Sequence, residues 1–274
     1  MRYSWAITLI ALLPAFARAD VDPKPRIDDH GFRCHRVMSE YQGNGAEIKV
    51  LLPDKMIDGK KYPVIFVLPV EAKNGKQFGN GLVEIKKHDL HNKFSVICVE
   101  VTFSHLPWYA DHPTDATIRQ EMYFLKEVLP FLEKHYPVQA TRSGRLLLGF
   151  SKSGWGAFAL LLRNPGVFEK AVAWDAPLMM AMPNKYGMAE IFGSQENFEK
   201  YRLTKLLESR ARELGKEPRL AILGYSSFRE HHQQAHELMK RHDIPHLYRD
   251  EKMSPHTWHS GWVEPGMRWL VTGK

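Results

Sequence analysis

Leu146-Leu147-Leu148-Gly149-Phe150-Ser151-Lys152-Ser153-Gly154-Trp155-Gly156-Ala157 is the stretch on which the reading of this chain turns. Arg145 to Phe150 is a short, mostly apolar run of the kind that makes a strand covered on both faces. From Gly154 to Arg163 small and apolar residues continue as a helix, which Asn164-Pro165 ends. Ser151 falls in the turn between the two. A turn this tight needs small residues two before and two after its central serine, because larger ones collide with the strand and the helix. Gly149 and Ser153 meet that condition for Ser151, whereas Ser153 as the centre would put Trp155 in the second slot. The window reads as a nucleophile elbow, with Ser151 the nucleophile and the Lys152 N–H one donor to an oxyanion. A Gly/Ser turn without chemistry is the competing reading. A phosphate loop is excluded, since Gly-x-x-x-x-Gly-Lys-Ser/Thr is absent.

A serine hydroxyl is a poor nucleophile until a base takes its proton, so a histidine is needed later in the chain. Of fourteen histidines, His256 and His259 stand in Ser254-Pro255-His256-Thr257-Trp258-His259, after the last expected strand and before the closing helix. A loop there reaches the carboxyl edge of the sheet, where Ser151 sits. Position alone leaves the two histidines open. The orienting acid has two candidates: Asp175, which ends the run Ala171 to Trp174, and Glu230, the first carboxylate after the next strand. Asp175 is favoured. The second oxyanion donor is expected after the run Tyr62 to Leu68; Pro69 has no N–H, which leaves Val70 or Glu71. Trp108, Tyr109 and Trp155 are candidates to line a substrate pocket, with plain core packing as the competing role. His231, His232 and His236 form a group one helical turn long, but Gln233 stands where a metalloprotease helix needs Glu. They read as surface histidines, and neither a metal nor a cofactor is expected.

Outward from the elbow, β-branched runs alternate with helical patterns. Arg33 to Glu40 and Ala46 to Leu52 read as two strands joined by Gln42-Gly43-Asn44-Gly45. Tyr62 to Leu68, Ser95 to Val101, Phe168 to Trp174, Arg219 to Leu223 and Pro245 to Arg249 read as further strands. Thr117 to Tyr136, Glu230 to His242 and Gly261 to Val271 carry helical periodicity. This alternation predicts an α/β fold with a mostly parallel central sheet of about eight strands and helices on both faces. One domain is expected over residues 33–274, after an extended lead-in at 20–32. A small insertion at about 177–217, rich in Met, Lys and Glu, is expected over the site.

Residues 1–19 combine Arg2, an apolar run from Trp5 to Phe16 and Ala17-Arg18-Ala19, which is the pattern of a signal peptide cleaved near Ala19. A secreted or periplasmic protein with no membrane span is expected. The 274 residues carry 38 basic and 31 acidic side chains, a net charge of +7 that is scattered rather than concentrated. Nucleic-acid binding needs a basic stripe and is set aside. Two cysteines exclude a disulfide framework. Whether Cys34 and Cys98 pair is open, and the oligomeric state is not readable.

The residues Tyr62 to Leu68, Trp108-Tyr109, Gly149-Phe150-Ser151-Lys152-Ser153-Gly154 and His256-Thr257-Trp258 resemble the α/β-hydrolases. More narrowly they resemble the esterase D-like esterase family, which includes S-formylglutathione hydrolases, feruloyl-type esterases and mycolyltransferases. The resemblance spans about residues 45–270. It implies the serine at Ser151 and, through the His-x-Trp motif, the base at His256. Two departures stand out. The family's strand ends in Leu-His-Gly where this chain has Leu68-Pro69-Val70, and the family's acid position falls on Ser227. The implied protein is a secreted serine esterase that forms an acyl-enzyme on Ser151. Its substrate would be a small-molecule or saccharide-linked ester. Acyl transfer to another acceptor, or a catalytically inactive hydrolase fold used for binding, are the alternatives.

Overall fold

The computed structural model describes residues 20–43 and 45–274. The expected signal peptide and Asn44 of the expected turn lie outside the described residues. Among the described residues ten strands form one sheet: β1 (Asp20–Val21), β2 (Arg26–Ile27), β3 (Arg33–Met38), β4 (Ala46–Leu51), β5 (Val64–Leu68), β6 (Ile97–Val101), β7 (Arg145–Phe150), β8 (Lys170–Trp174), β9 (Leu220–Tyr225) and β10 (His246–Met253). Their order is β1-β3-β4-β6-β5-β7-β8-β9-β10, with β2 also on β3. Pairing is antiparallel from β1 to β6 through β4, and parallel from β6 to β10. The two strands beyond the expected eight come from the lead-in, whose short pieces Asp20–Val21 and Arg26–Ile27 add to β3.

The parallel strands are covered on both faces, and their side chains divide accordingly. Val64, Phe66 and Leu68 of β5 join one apolar cluster; Ile65 and Val67 join the other. That alternation is the period of two expected of a strand buried on both sides. The helix Lys152–Arg163 packs into the first cluster through Trp155, Phe158 and Leu161. The helices Gly81–Lys87 and Val263–Thr272 pack into the second through Leu82, Ile85, Met267 and Leu270.

The helix expected over Thr117 to Tyr136 begins at Gln120 and runs to His135, with a π turn at Phe124–Val128. Residues 177–217 hold the helices Met188–Phe192, Gln195–Glu199 and Leu203–Arg210. Their Phe192, Phe198, Leu203 and Leu207 are buried in the first cluster, so this segment is part of the core on that face. Among the described residues no helix is long and apolar enough to cross a membrane.

Candidate active site

Ser151 sits between β7 and the helix Lys152–Arg163 with φ 54° and ψ −129°. A left-handed φ is costly for a residue with a side chain and persists only where the surroundings over-determine it. Here they do. The Ser151 N–H donates to Trp174 O on β8 at 3.1 Å, and Gly154 N and Trp155 N both return to Ser151 O. A Cβ on Gly149 would stand 2.2 Å from Ser153 O, which is why only glycine fits two residues before the turn. Two residues after it, the buried Ser153 hydroxyl donates to Phe150 O at 2.8 Å and accepts from Phe150 N at 2.9 Å. The serine in the fifth place thus closes the elbow on itself. Gly154 allows the helix to approach Ala173 and Ala176, whose Cβ atoms would lie 3.0 and 2.8 Å from an added methyl.

Asp175 follows β8 and is buried. Its Oδ1 accepts from Ser226 N at 2.7 Å and Phe228 N at 2.9 Å, both on the loop after β9. Its Oδ2 accepts from His256 Nδ1. Burial pushes the carboxyl up, but the hydrogen bonds from His256, Ser226 and Phe228 outweigh it and hold the pKa below the ordinary value. Asp175 is therefore a carboxylate at neutral pH. With its Nδ1–H committed to that carboxylate, the imidazole carries its lone pair on Nε2.

The His256 ring lies 4.6 Å from Phe150, 5.3 Å from Phe78 and 5.9 Å from Phe228, centroid to centroid. About a quarter of its side chain remains exposed, at 24%. The ring is thus next to the residue that precedes Ser151. No hydrogen bond joins Ser151 Oγ to the imidazole among the described residues, and Ser151 itself is 6% exposed.

Of the competing candidates, Glu230 is exposed in the first turn of the helix Arg229–Arg241 and makes no hydrogen bond to His256. His259 turns the other way: its Nδ1 meets Glu84 Oε2 at 2.7 Å. Trp108, Tyr109 and Trp155, the candidate pocket lining, are a correction. They are 0%, 1% and 0% exposed, with the two indoles edge to face at 5.5 Å. These rings are core. Tyr109 still bears on the site, because its hydroxyl donates to Pro69 O at 2.7 Å and fixes the strand end that departs from Leu-His-Gly. Beyond it, the N–H groups of Val70, Glu71 and Lys152 donate to no protein acceptor among the described residues. The Glu71 carboxylate is turned back onto Gln77 N and Phe78 N. Burial lowers the Lys152 pKa, opposed by the nearby Glu71 charge.

The histidine group is also corrected, since it is not simply a surface feature. His232 is fully buried and accepts from Ala176 N at 2.8 Å, next to Asp175. His231 accepts from Met179 N at 3.0 Å, and His236 pairs with His246. Sequence reasoning missed His232 and the Ser226 and Phe228 amides. The signal for His232 was weak but present: its place in the first turn of a helix whose apolar face includes Ala235, Leu238 and Met239. Cys34 and Cys98 are both buried free thiols, and burial raises the pKa of each, that of Cys34 to about 11.

A parallel sheet with a serine elbow at its carboxyl edge and an Asp–His pair beside it defines an α/β-hydrolase. The family described as Putative esterase matches residues 39–202, more than half of the chain, and the chain belongs to that esterase family. An esterase of Mycobacterium tuberculosis strain H37Rv is 25% identical over 147 residues, 52% of this chain and 32% of the relative. The chain thus spans about a third of that relative's length. In fold it is similar to an S-formylglutathione hydrolase from Staphylococcus aureus, with TM-score 0.71 and 16% identity over 88% of this chain and 98% of the other. An S-formylglutathione hydrolase from Agrobacterium tumefaciens gives 0.68 and 18%, over 89% and 96%. A ferulic acid esterase gives 0.67 and 20%, over 93% and 97%.

Proposed function

We propose that the protein is a serine esterase that cleaves a carboxylic ester through an acyl-enzyme on Ser151. The observation that carries this reading is the Asp175–His256 pair next to a serine held at φ 54° in a strand-to-helix elbow. In the first half-reaction His256 Nε2 takes the Ser151 proton as the oxygen attacks the ester carbonyl, and the imidazolium returns it to the departing alkoxide. Asp175 stays ionised and holds the ring in the productive tautomer. The Lys152 N–H, with Val70 or Glu71, faces the oxygen that becomes negative in the tetrahedral intermediate. Water then repeats the sequence on the acyl-enzyme with the same groups in reversed roles. The amino-terminal pattern supports export to the periplasm or medium. Substitution Ser151→Ala is expected to abolish hydrolysis of p-nitrophenyl acetate while far-UV circular dichroism and thermal midpoint stay unchanged. Turnover at the wild-type rate by a folded Ser151→Ala protein would reject the mechanism.

A further inference from the structure

The opposite end of the sheet carries a second cluster of ligating side chains. Because β4 runs antiparallel to β6, the chain leaving Leu51 and the turn entering Ile97 meet at the edge away from Ser151. Asp54 comes from the first segment; Asp89 and His91 come from the second. One ligand atom from each lies within 4.8 Å of the other two. The amide of Asn92 brackets the pair of carboxylates, donating to Asp54 Oδ2 at 2.8 Å and Asp89 Oδ1 at 2.6 Å, while its oxygen accepts from Asp54 N.

His91 is the telling member. It is 3% exposed, and its buried Nδ1 has no hydrogen-bond partner among the described residues. A buried imidazole with no partner costs free energy that a native structure ordinarily avoids. Its Nε2 faces Asp54 Oδ1 at 3.9 Å, too long for a hydrogen bond. The nearby lysines are spent elsewhere: Lys86 on His30 O, Lys93 on Glu264 and Lys60 on Ser95. Among the described residues nothing cationic is hydrogen-bonded to the two carboxylates.

We propose that Asp54, Asp89 and His91 bind one divalent transition-metal ion of the zinc type, with water completing the shell. One imidazole and two carboxylates suit zinc at ligand distances of about 2.0–2.2 Å. Calcium and magnesium prefer an all-oxygen shell and are poorly matched by His91. The ion would clip the segment after β4 to the turn before β6, and would stabilise the fold without touching the esterase chemistry.

The test is isothermal titration of chelator-stripped full chain with zinc chloride, with thermal unfolding read in parallel. One equivalent should bind, and saturation should raise the midpoint on the order of 5 °C. Calcium chloride should do neither. Asp54→Asn, at a largely exposed position that tolerates change, and His91→Ala should each lose the binding and the shift. His236→Ala, which removes the His236–His246 pair far from the cluster in sequence, should keep both. Absence of stoichiometric zinc binding to the wild type overturns the proposal. So does zinc binding that survives Asp54→Asn, zinc binding that disappears in His236→Ala, or a preference for calcium.

Discussion

At the scale of single residues, the site separates two carboxylates that sequence position alone leaves as alternatives, Asp175 and Glu230. Asp175 receives three hydrogen bonds, one of them from the imidazole. Glu230 receives none from it. Substitution Asp175→Asn is expected to lower kcat for p-nitrophenyl acetate by about 10³–10⁴-fold, because an amide stabilises the wrong tautomer and cannot offset the imidazolium. Glu230→Gln should leave kcat within about twofold, as expected for an exposed charge on a helix end. Steady-state kinetics on the two variants decides the matter. A large loss in Glu230→Gln with Asp175→Asn active would reverse the assignment.

At the scale of elements, the contact between the helix Lys152–Arg163 and the Trp108-Tyr109 segment sets the loop after β5 that is proposed to hold the oxyanion. Gly156 faces Tyr109 so closely that an added Cβ would lie 2.0 Å from its Cδ2. In an open helix, replacing Gly by Ala gains about 1 kcal/mol. Here the clash is with a fully buried ring whose hydroxyl holds Pro69 O, so the overpacking cost of about 1–3 kcal/mol wins. Gly156→Ala is expected to lower the thermal midpoint by several degrees and to reduce kcat as the 69–71 segment shifts. A raised midpoint in a melting experiment would contradict this packing account.

The same scale shows what could be read in advance. The elbow was legible because three constraints converge on it: an apolar strand, small residues at fixed offsets, and a helix. The parallel strands were legible because both faces are buried and their composition is continuous. The helix Gly81–Lys87 was not, although Asn80 caps it through Val83 N, since seven residues carry little periodicity. The roles of Trp108 and Trp155 were ambiguous because a large aromatic suits a core and a pocket alike. The hydrogen bonds of Asp175 lay beyond reach, because backbone amides on a loop after another strand have no side-chain signature.

For the whole molecule, acid sensitivity follows from His232. It is fully buried beside Asp175, and burial lowers its pKa to about 4, against a smaller opposing pull from the Asp175 charge. An unfolded chain protonates the same ring near pH 6.5. Between those values the unfolded state binds more protons, so stability falls as pH drops from about 6.5 to about 4, by about 3 kcal/mol in all. Asp175, with its depressed pKa, adds a loss as pH falls below the ordinary carboxylate range. Thermal midpoints measured from pH 7.5 to 4.5 should decline, and the decline should be shallower in His232→Gln, whose side-chain oxygen can still accept from Ala176 N. A flat profile in the wild type would remove His232 from the account.

The proposed reacting groups arrive from three places along the sheet: Ser151 after β7, Asp175 after β8 and His256 after β10. The last can dock only when the final parallel pairings, β8 to β9 and β9 to β10, have formed. A chain diluted out of denaturant cannot regain turnover from a half-built intermediate, however much helix it already shows. An ester assay run during refolding is therefore a clock for completion of the carboxy-terminal third. Its lag behind the ellipticity signal measures how late that third is added.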